Sequence, residues 1–122
     1  MMDAYFFDTY GIIEILKGSS SYKNYRDAKI VLTIFNLVEL HYKLLRDFNE
    51  KFAKKILQRY SRFVINVDLD VIEKANNFKL LHKKQRMSAT DVIGYVTAKK
   101  LGIKFLTGDK QFEKFENVEF VK

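Results

Sequence analysis

Short apolar runs alternate along this chain with longer stretches in which apolar residues recur at helical spacing. The runs predict buried strands and the periodic stretches predict helices. Between Ile34 and Phe48, apolar residues fall at positions 34, 37, 38, 41 or 42, and 45, which is a helical period. Strands are predicted over residues 4–7, 29–33, 63–66, 104–106 and 118–121. Helices are predicted over residues 9–17, 34–48, 50–60, 70–81 and 89–101, with a loop or short helix from Ser19 and a turn or short helix over 110–115.

Polar residues and glycines mark the predicted helix ends, because the chain contains no Pro. Asn49 and Asp70 are predicted to cap the helices that follow them. Ser88 begins the helix over 89–101, and Gly18 and Gly102 follow two helix ends as expected for left-handed C-terminal residues.

The alternation of strands and helices indicates an α/β fold in three layers. A central, mainly parallel sheet of four or five strands would lie between helices on both faces. Right-handed crossovers would then bring the carboxyl ends of the strands to one edge of the sheet. The length of 122 residues fits one domain covering 1–122.

Composition excludes several classes of protein. Hydrophobic residues make up 48% of the chain and include 11 Phe and 7 Tyr, which is enough for one core. No apolar run approaches the roughly 20 residues that span a bilayer, and no secretory signal is evident. The absence of Cys excludes disulfides and thiolate metal sites. We therefore expect a soluble cytoplasmic protein with no membrane partner.

The formal net charge is +7, from 22 Lys plus Arg and 15 Asp plus Glu. Such a balance favours association with polyanions such as nucleic acid, through phosphate contacts and counterion release. A soluble protein with a Lys-rich surface would have the same balance.

Four acidic residues occur at positions where α/β proteins bind ligands. Asp8 follows the first strand, Asp91 opens a late helix, and Asp109 follows a late strand, while Glu39 lies in the helix over 34–48. Two carboxylates ~5 Å apart repel by roughly 3 kcal/mol at an effective dielectric of ~20. A cluster of four therefore requires a cation or raised pKa values. Oxygen ligands without Cys or a His pair suit Mg²⁺ or Mn²⁺ rather than Zn²⁺.

Each carboxylate also has a purely structural interpretation. Asp8 is a favoured helix N-cap, and Glu39 could pair with Lys43 one turn later. Asp91 stands at the third position of a capping box that begins at Ser88, and Asp109 could belong to a turn or cap a short helix.

Basic residues near these carboxylates are candidates for holding a phosphate backbone. A basic loop runs into the Asp91 helix, two residues share the helix of Glu39, and one follows Asp109. In that order the candidates are Lys83, Lys84 and Arg86; Lys43 and Arg46; and Lys110. Ordinary surface charge is the alternative for each of them.

Four short motifs, in this order, resemble the PIN-domain nucleases, and the length resembles their VapC-type toxins. They are Asp8-Thr9, Val38-Glu39-Leu40, Thr90-Asp91 and Leu106-Thr107-Gly108-Asp109. The resemblance implies a metal-dependent endoribonuclease whose four acidic residues hold one or two Mg²⁺ or Mn²⁺ ions, with Thr107 supporting the site. It also implies a homodimer and a small antitoxin partner. Many members carry a polar or acidic residue where this chain has Lys110, which weakens the case for a second metal.

Other functions remain open from the sequence. A PIN-like module without catalysis would bind RNA or a protein and keep the same carboxylates. A haloacid-dehalogenase-like phosphatase would need a second Asp where Tyr10 stands. A response-regulator receiver could use Asp68 and Lys110, but Glu39 and Asp91 would then have no role.

Overall fold

A computed structural model describes residues 3–122 as a four-stranded sheet with helices on both faces. The strands are β1 (Ala4–Phe7), β2 (Lys29–Val31), β3 (Lys104–Thr107) and β4 (Val118–Phe120). Their order in the sheet is β2-β1-β3-β4, and every neighbouring pair is parallel. The helices are α1 (Thr9–Lys17), α2 (Ile34–Asp47), α3 (Glu50–Tyr60), α4 (Leu69–Leu81) and α5 (Ala89–Leu101). The connections contain short 3₁₀ turns at Ser20–Tyr25, Ser61–Phe63, Lys83–Gln85 and Lys110–Phe112.

The two faces of the sheet bury separate apolar clusters, because neighbouring residues of a strand point to opposite faces. Phe7 and Leu106 belong to the cluster formed with α1, α2 and α3. Phe6 and Phe105 belong to the cluster formed with α4 and α5. All four side chains are fully buried. The predicted three-layer α/β architecture with a parallel sheet is confirmed. No helix within residues 3–122 is long and apolar enough to cross a membrane.

Most predicted helix ends are confirmed, and one cap is wrong. Gly18 and Gly102 have φ angles of 74° and 71° and end α1 and α5 in the left-handed conformation. The predicted cap of α4 at Asp70 is wrong, because Asp68 accepts the hydrogen bond from the Val71 amide at 3.0 Å. Asp70 lies in the first turn, where it pairs with Lys74 at 3.0 Å.

The predicted fifth strand over residues 63–66 does not form. Its only ladder contact is an isolated parallel bridge between Leu32 and Val64. The Leu32 amide donates to the Phe63 carbonyl at 3.1 Å, and the Ile65 amide donates to the Leu32 carbonyl at 2.9 Å. The chain after Leu32 cannot extend this pairing. The amide and the hydroxyl of Thr33 both donate to Oδ1 of Asn36, where α2 begins.

Gly94 allows α5 to lie close against the sheet, and Gly94→Ala tests this contact. A Cβ at this position would lie 2.5 Å from Cε1 of Phe6 and 3.1 Å from Cε1 of Phe105. Alanine would gain about 1 kcal/mol in helix propensity, but overpacking costs typically 1–3 kcal/mol. Both rings are fully buried, so we expect the overpacking to exceed the gain.

Urea unfolding should therefore give a lower midpoint for Gly94→Ala than for the wild type. The exposed Lys99→Ala on the same helix should stay close to the wild-type midpoint. A Gly94→Ala protein more stable than the wild type would show that α5 can move away from the sheet at little cost.

Candidate active site

All four predicted carboxylates line one cavity of about 570 Å³ at the carboxyl end of the sheet. Asp8 and Asp109 come from the ends of β1 and β3, Asp91 from the first turn of α5, and Glu39 from the middle of α2. The cavity is completed by Thr9, Tyr10, Lys43, Ser88, Gly108, Lys110 and Lys122. The position of the cavity follows from the parallel sheet, since ligands of such folds bind beyond the carboxyl ends of the strands.

Asp8 is the most buried of the four carboxylates, with 3% of its surface exposed. One carboxylate oxygen accepts a hydrogen bond from the Gly11 amide at 2.7 Å, so Asp8 is also the N-cap of α1. The other oxygen accepts from the Thr107 hydroxyl at 2.6 Å. Burial raises the pKa of Asp8 to about 7, against the lowering effect of these two hydrogen bonds. The negative charges of Asp91 and Asp109 contribute smaller parts of this increase.

Thr107 connects two of the acidic residues. Its hydroxyl donates to Asp8 and accepts from the Asp109 amide at 3.0 Å. Asp109 in turn caps the short turn after β3, because its Oδ1 accepts from the Gln111 amide at 3.0 Å. The fully buried Thr107 side chain therefore fixes the ends of β1 and β3 relative to each other.

Glu39 is held by a chain of polar side chains rather than by Lys43. The Thr9 hydroxyl donates to Oε1 of Glu39 at 2.8 Å. The side-chain amide of Asn36 donates to the Thr9 hydroxyl at 3.4 Å, and Oδ1 of Asn36 accepts from the Thr33 hydroxyl at 2.9 Å. Thr9, Asn36 and Thr33 are all buried, so this chain orients Glu39 from inside the protein.

Asp91 has an environment that opposes its negative charge. Its backbone amide donates to the Ser88 hydroxyl at 3.1 Å, as the capping box predicts. Burial, with smaller contributions from the nearby Glu39 and Asp109, raises the pKa of the Asp91 side chain to about 6. Lys43 opposes this increase and lowers the pKa. The carboxylates of the cavity therefore interact electrostatically with one another.

The four carboxylates of the cavity suit a hard divalent cation, both in the type of ligand atom and in their negative charge. All four acidic groups offer carboxylate oxygens, the ligands that Mg²⁺ and Mn²⁺ prefer in proteins. Burial and mutual repulsion disfavour the charged forms of Asp8 and Asp91, and a cation would reverse that. As arranged within residues 3–122, however, no three His, Asp or Glu side chains form a group that could hold a metal ion. Mg²⁺ usually keeps several waters and is bound through one or two carboxylates, so it does not need a group of three.

Two of the six predicted RNA-binding residues, Lys43 and Lys110, line the same cavity. Lys83 and Arg86 instead line a separate cavity of about 320 Å³. Lys84 is exposed and lines neither cavity. Arg46 lies outside both, where its guanidinium donates two hydrogen bonds to the Asp47 carboxylate at 2.8 and 2.9 Å. The basic loop is nevertheless attached to the site region, since the Gln85 side chain donates to the Gln111 carbonyl at 3.1 Å.

Four residues of the site, Thr9, Tyr10, Asn36 and Lys122, have no role in it that the sequence predicted. Asn36 could have been found from its spacing to Thr33, which matches a capping interaction, and Thr9 from its place directly after Asp8. Tyr10 entered only as the residue that excludes a phosphatase. Lys122 has no local signal, because its place in the cavity depends on β4 lying beside β3.

The buried charge of Asp8 predicts a pH-dependent stability. The folded-state pKa of about 7 lies above the ordinary value of 3.8, so the folded protein retains a proton that the unfolded chain releases between pH 4 and 7. The free energy of unfolding therefore falls as pH rises through this window. Asp8→Asn removes the ionisation and should be more stable than the wild type at pH 8, by up to about 4 kcal/mol.

Urea unfolding of both proteins at pH 4.5 and pH 8 measures this effect. The advantage of Asp8→Asn should shrink strongly at pH 4.5, where the wild-type carboxyl is protonated in the fold. The same stability difference at both pH values would contradict a raised pKa for Asp8.

Comparison with solved structures identifies the fold. Three of the similar structures are Mycobacterium tuberculosis VapC20, described as a sarcin–ricin loop cleaving toxin; a toxin–antitoxin complex from Klebsiella pneumoniae; and Rickettsia felis VapBC2 bound to a DNA fragment from its promoter. Their TM-scores are 0.77, 0.73 and 0.73, at 19%, 20% and 15% sequence identity. The matches cover 98%, 95% and 98% of this chain and 100%, 96% and 99% of the other chains, in the same order.

No curated protein sequence matches the chain significantly. The family model of the PIN domain, however, matches residues 5–118. That range contains all of β1 except Ala4, the whole of β3 and all four carboxylates of the cavity. This chain therefore belongs to the PIN-domain family.

Proposed function

We propose that this protein is a metal-dependent endoribonuclease and the toxin of a VapBC-type toxin–antitoxin pair. The observation that carries the proposal is the gathering of four carboxylates around one cavity in a protein of net charge +7. An acidic pocket in a basic protein suits a metal ion acting on a polyanion. Membership of the PIN family supports the nuclease, and the similarity to VapC20 and to two toxin–antitoxin complexes supports the toxin.

The proposed cofactor is Mg²⁺ or Mn²⁺. Asp8 and Asp91 are the proposed direct ligands, because burial opposes their negative charge most strongly and a cation would relieve that cost. Glu39 and Asp109 would complete the shell. The bound ion would supply Lewis-acid activation of water and neutralise charge on the phosphate. Lys110 adds positive charge to the cavity beside Asp109, which favours one ion over two.

The remaining residues of the cavity have distinct proposed roles. Glu39, held by the Thr9 hydroxyl, would orient the attacking water and accept its proton. Lys43 and Lys110 would contact the phosphate oxygens, where negative charge develops during in-line displacement. Thr107 would keep the Asp8 carboxylate in place. By resemblance to the family, the products would carry 5′-phosphate and 3′-hydroxyl ends.

A toxin of such a pair needs an apolar surface for its antitoxin or for a second copy of itself. Helix α2 and the residue that follows it expose a stripe of large apolar side chains, namely Ile34, Val38, Tyr42, Leu45 and Phe48. Stripes of this kind mark protein interaction sites. The same helix carries Glu39 and Lys43 into the cavity, so a partner on this stripe would lie close to the site. A small antitoxin and a homodimer are both part of the proposal.

Cleavage of a mixed RNA pool tests the proposed activity. The purified wild type should cut RNA with Mn²⁺ or Mg²⁺ and should not cut in EDTA. Asp8→Asn should reduce the rate at least about 100-fold, because loss of even an indirect contact to a metal ligand typically costs 10–100-fold. Its fold should remain intact, since the carboxamide keeps the shape of the carboxylate.

The matched control is Asp70→Asn, which removes a half-exposed carboxylate that does not line the cavity. Its cleavage rate should equal that of the wild type. Full activity of Asp8→Asn would end the site assignment. RNA binding by the wild type without any metal-dependent cleavage would favour the non-catalytic binding module.

Thr9→Val tests whether the orientation of Glu39 matters. The substitution keeps the shape but removes the hydroxyl that donates to Glu39 and accepts from Asn36. We expect kcat to fall about 10-fold or more, with KM for RNA nearly unchanged. Thr9→Ser restores the hydroxyl and should recover most of the rate. An unchanged kcat in Thr9→Val would show that Glu39 needs no support from Thr9.

A further inference from the structure

Tyr10 places an accessible aromatic ring in the wall of the carboxylate cavity. It lies in the first turn of α1, directly after the buried Asp8 and Thr9, and 36% of its surface is exposed. The ring meets the buried Tyr22 edge to face at 6.2 Å, which limits how it can turn. The cavity thus offers an apolar face to a ligand, although most of its other lining residues are charged.

Gly108 makes the position of this ring possible. A Cβ at residue 108 would lie 2.5 Å from Cε1 of Tyr10 and 2.8 Å from the Val121 carbonyl oxygen. Any side chain would therefore collide with Tyr10 and with the chain that leaves β4. The glycine allows the ring, the Asp109 turn and the end of β4 to pack together at one side of the cavity.

Lys122 adds a positive charge beside the ring. Its Nζ lies 5.9 Å from the centre of the Tyr10 ring and 3.4 Å from the Gly108 carbonyl oxygen, to which it donates a weak hydrogen bond. Like Lys43 and Lys110, it lines the cavity. None of these three lysines forms an ion pair with a carboxylate of residues 3–122. Their charges are therefore available to an anionic ligand.

An aromatic ring next to a lysine suits one nucleotide of a single strand. Bases stack on aromatic side chains with little preference for sequence, while lysines contact the backbone phosphates. A base can use such a ring only when it is not stacked within a duplex. The remaining lysines, Lys43 and Lys110, line the same cavity as the carboxylates and are left to contact the phosphate that is cut.

We propose that Tyr10 and Lys122 form a nucleotide-binding subsite at the mouth of the cavity, where Tyr10 stacks an unpaired base and Lys122 contacts a backbone phosphate. The subsite rests on the proposed ribonuclease function, and it holds the nucleotide adjacent to the scissile phosphate. A paired base cannot reach the ring, so the subsite accepts only an unpaired nucleotide.

Binding of a short, fluorescently labelled RNA in EDTA tests the subsite without cleavage. The probes are a single-stranded 12-mer of mixed sequence and the same strand in a duplex. Tyr10→Leu should weaken binding of the single strand about 10-fold and leave duplex binding unchanged. Tyr10→Phe keeps the ring and should bind within about 2-fold of the wild type.

Lys122→Gln should weaken binding of the single strand and reduce the slope of log K against log salt by about 0.7, the value for one phosphate contact. The matched control is Lys55→Gln, which removes the same charge from an exposed position of α3 outside the cavity. Its salt slope should equal that of the wild type. Unchanged binding by both Tyr10→Leu and Lys122→Gln overturns the proposal, and so does equal weakening of duplex binding.

The two proposals fail in different ways. If the wild type binds the single strand through Tyr10 in EDTA but never cuts RNA with metal, the nuclease is wrong and the subsite stands. If the wild type cuts RNA with metal and Tyr10→Leu retains the wild-type KM, the nuclease stands and the subsite is wrong. The urea midpoint of each variant should be measured to show that the variant is folded.

Discussion

The buried carboxylate of Asp8 is the group on which the rest of the site depends. It receives hydrogen bonds from the Gly11 amide and the Thr107 hydroxyl, so one side chain joins the start of α1 to the end of β3. The Asp8 amide also donates to the Leu106 carbonyl at 3.1 Å. A negative charge in this position is costly unless it is compensated. The negative charge of Asp8 is therefore unfavourable by itself, and a cation bound at this edge of the sheet would stabilise it.

The charges around the cavity also affect the cost of burying the carboxylates. The four acidic groups share the cavity with three lysines, Lys43, Lys110 and Lys122. A polyanion is attracted by the net charge of +7 and by these lysines. It is repelled by the carboxylates until a cation neutralises them. Binding of a polyanion and binding of a cation would thus reinforce each other, since each reduces the electrostatic cost that opposes the other.

Local signals predicted most of the fold correctly. The first, second, fourth and fifth predicted strands, the five helices and the glycine ends of α1 and α5 all form where the sequence placed them, within a few residues. Two predictions are wrong, the strand over residues 63–66 and the cap of α4. Both depend on the tertiary structure, which a local pattern does not reveal. Residues 63–66 have strand-like composition, but their partner chain turns into α2 after Leu32. Both Asp68 and Asp70 suit a cap, and only the backbone geometry selects Asp68.

The sequence by itself determined four of the strands, the five helices and which carboxylates follow the strands, because hydrophobic periodicity and capping act over a few residues. Only the tertiary structure decided what surrounds those carboxylates. The Thr107–Asp8 hydrogen bond joins residues 99 positions apart, and the Thr9–Glu39 bond joins residues 30 positions apart. The pairing of Tyr10 with Lys122 likewise needs β1, β3 and β4 side by side. Such contacts depend on packing between distant segments, and no local pattern specifies them.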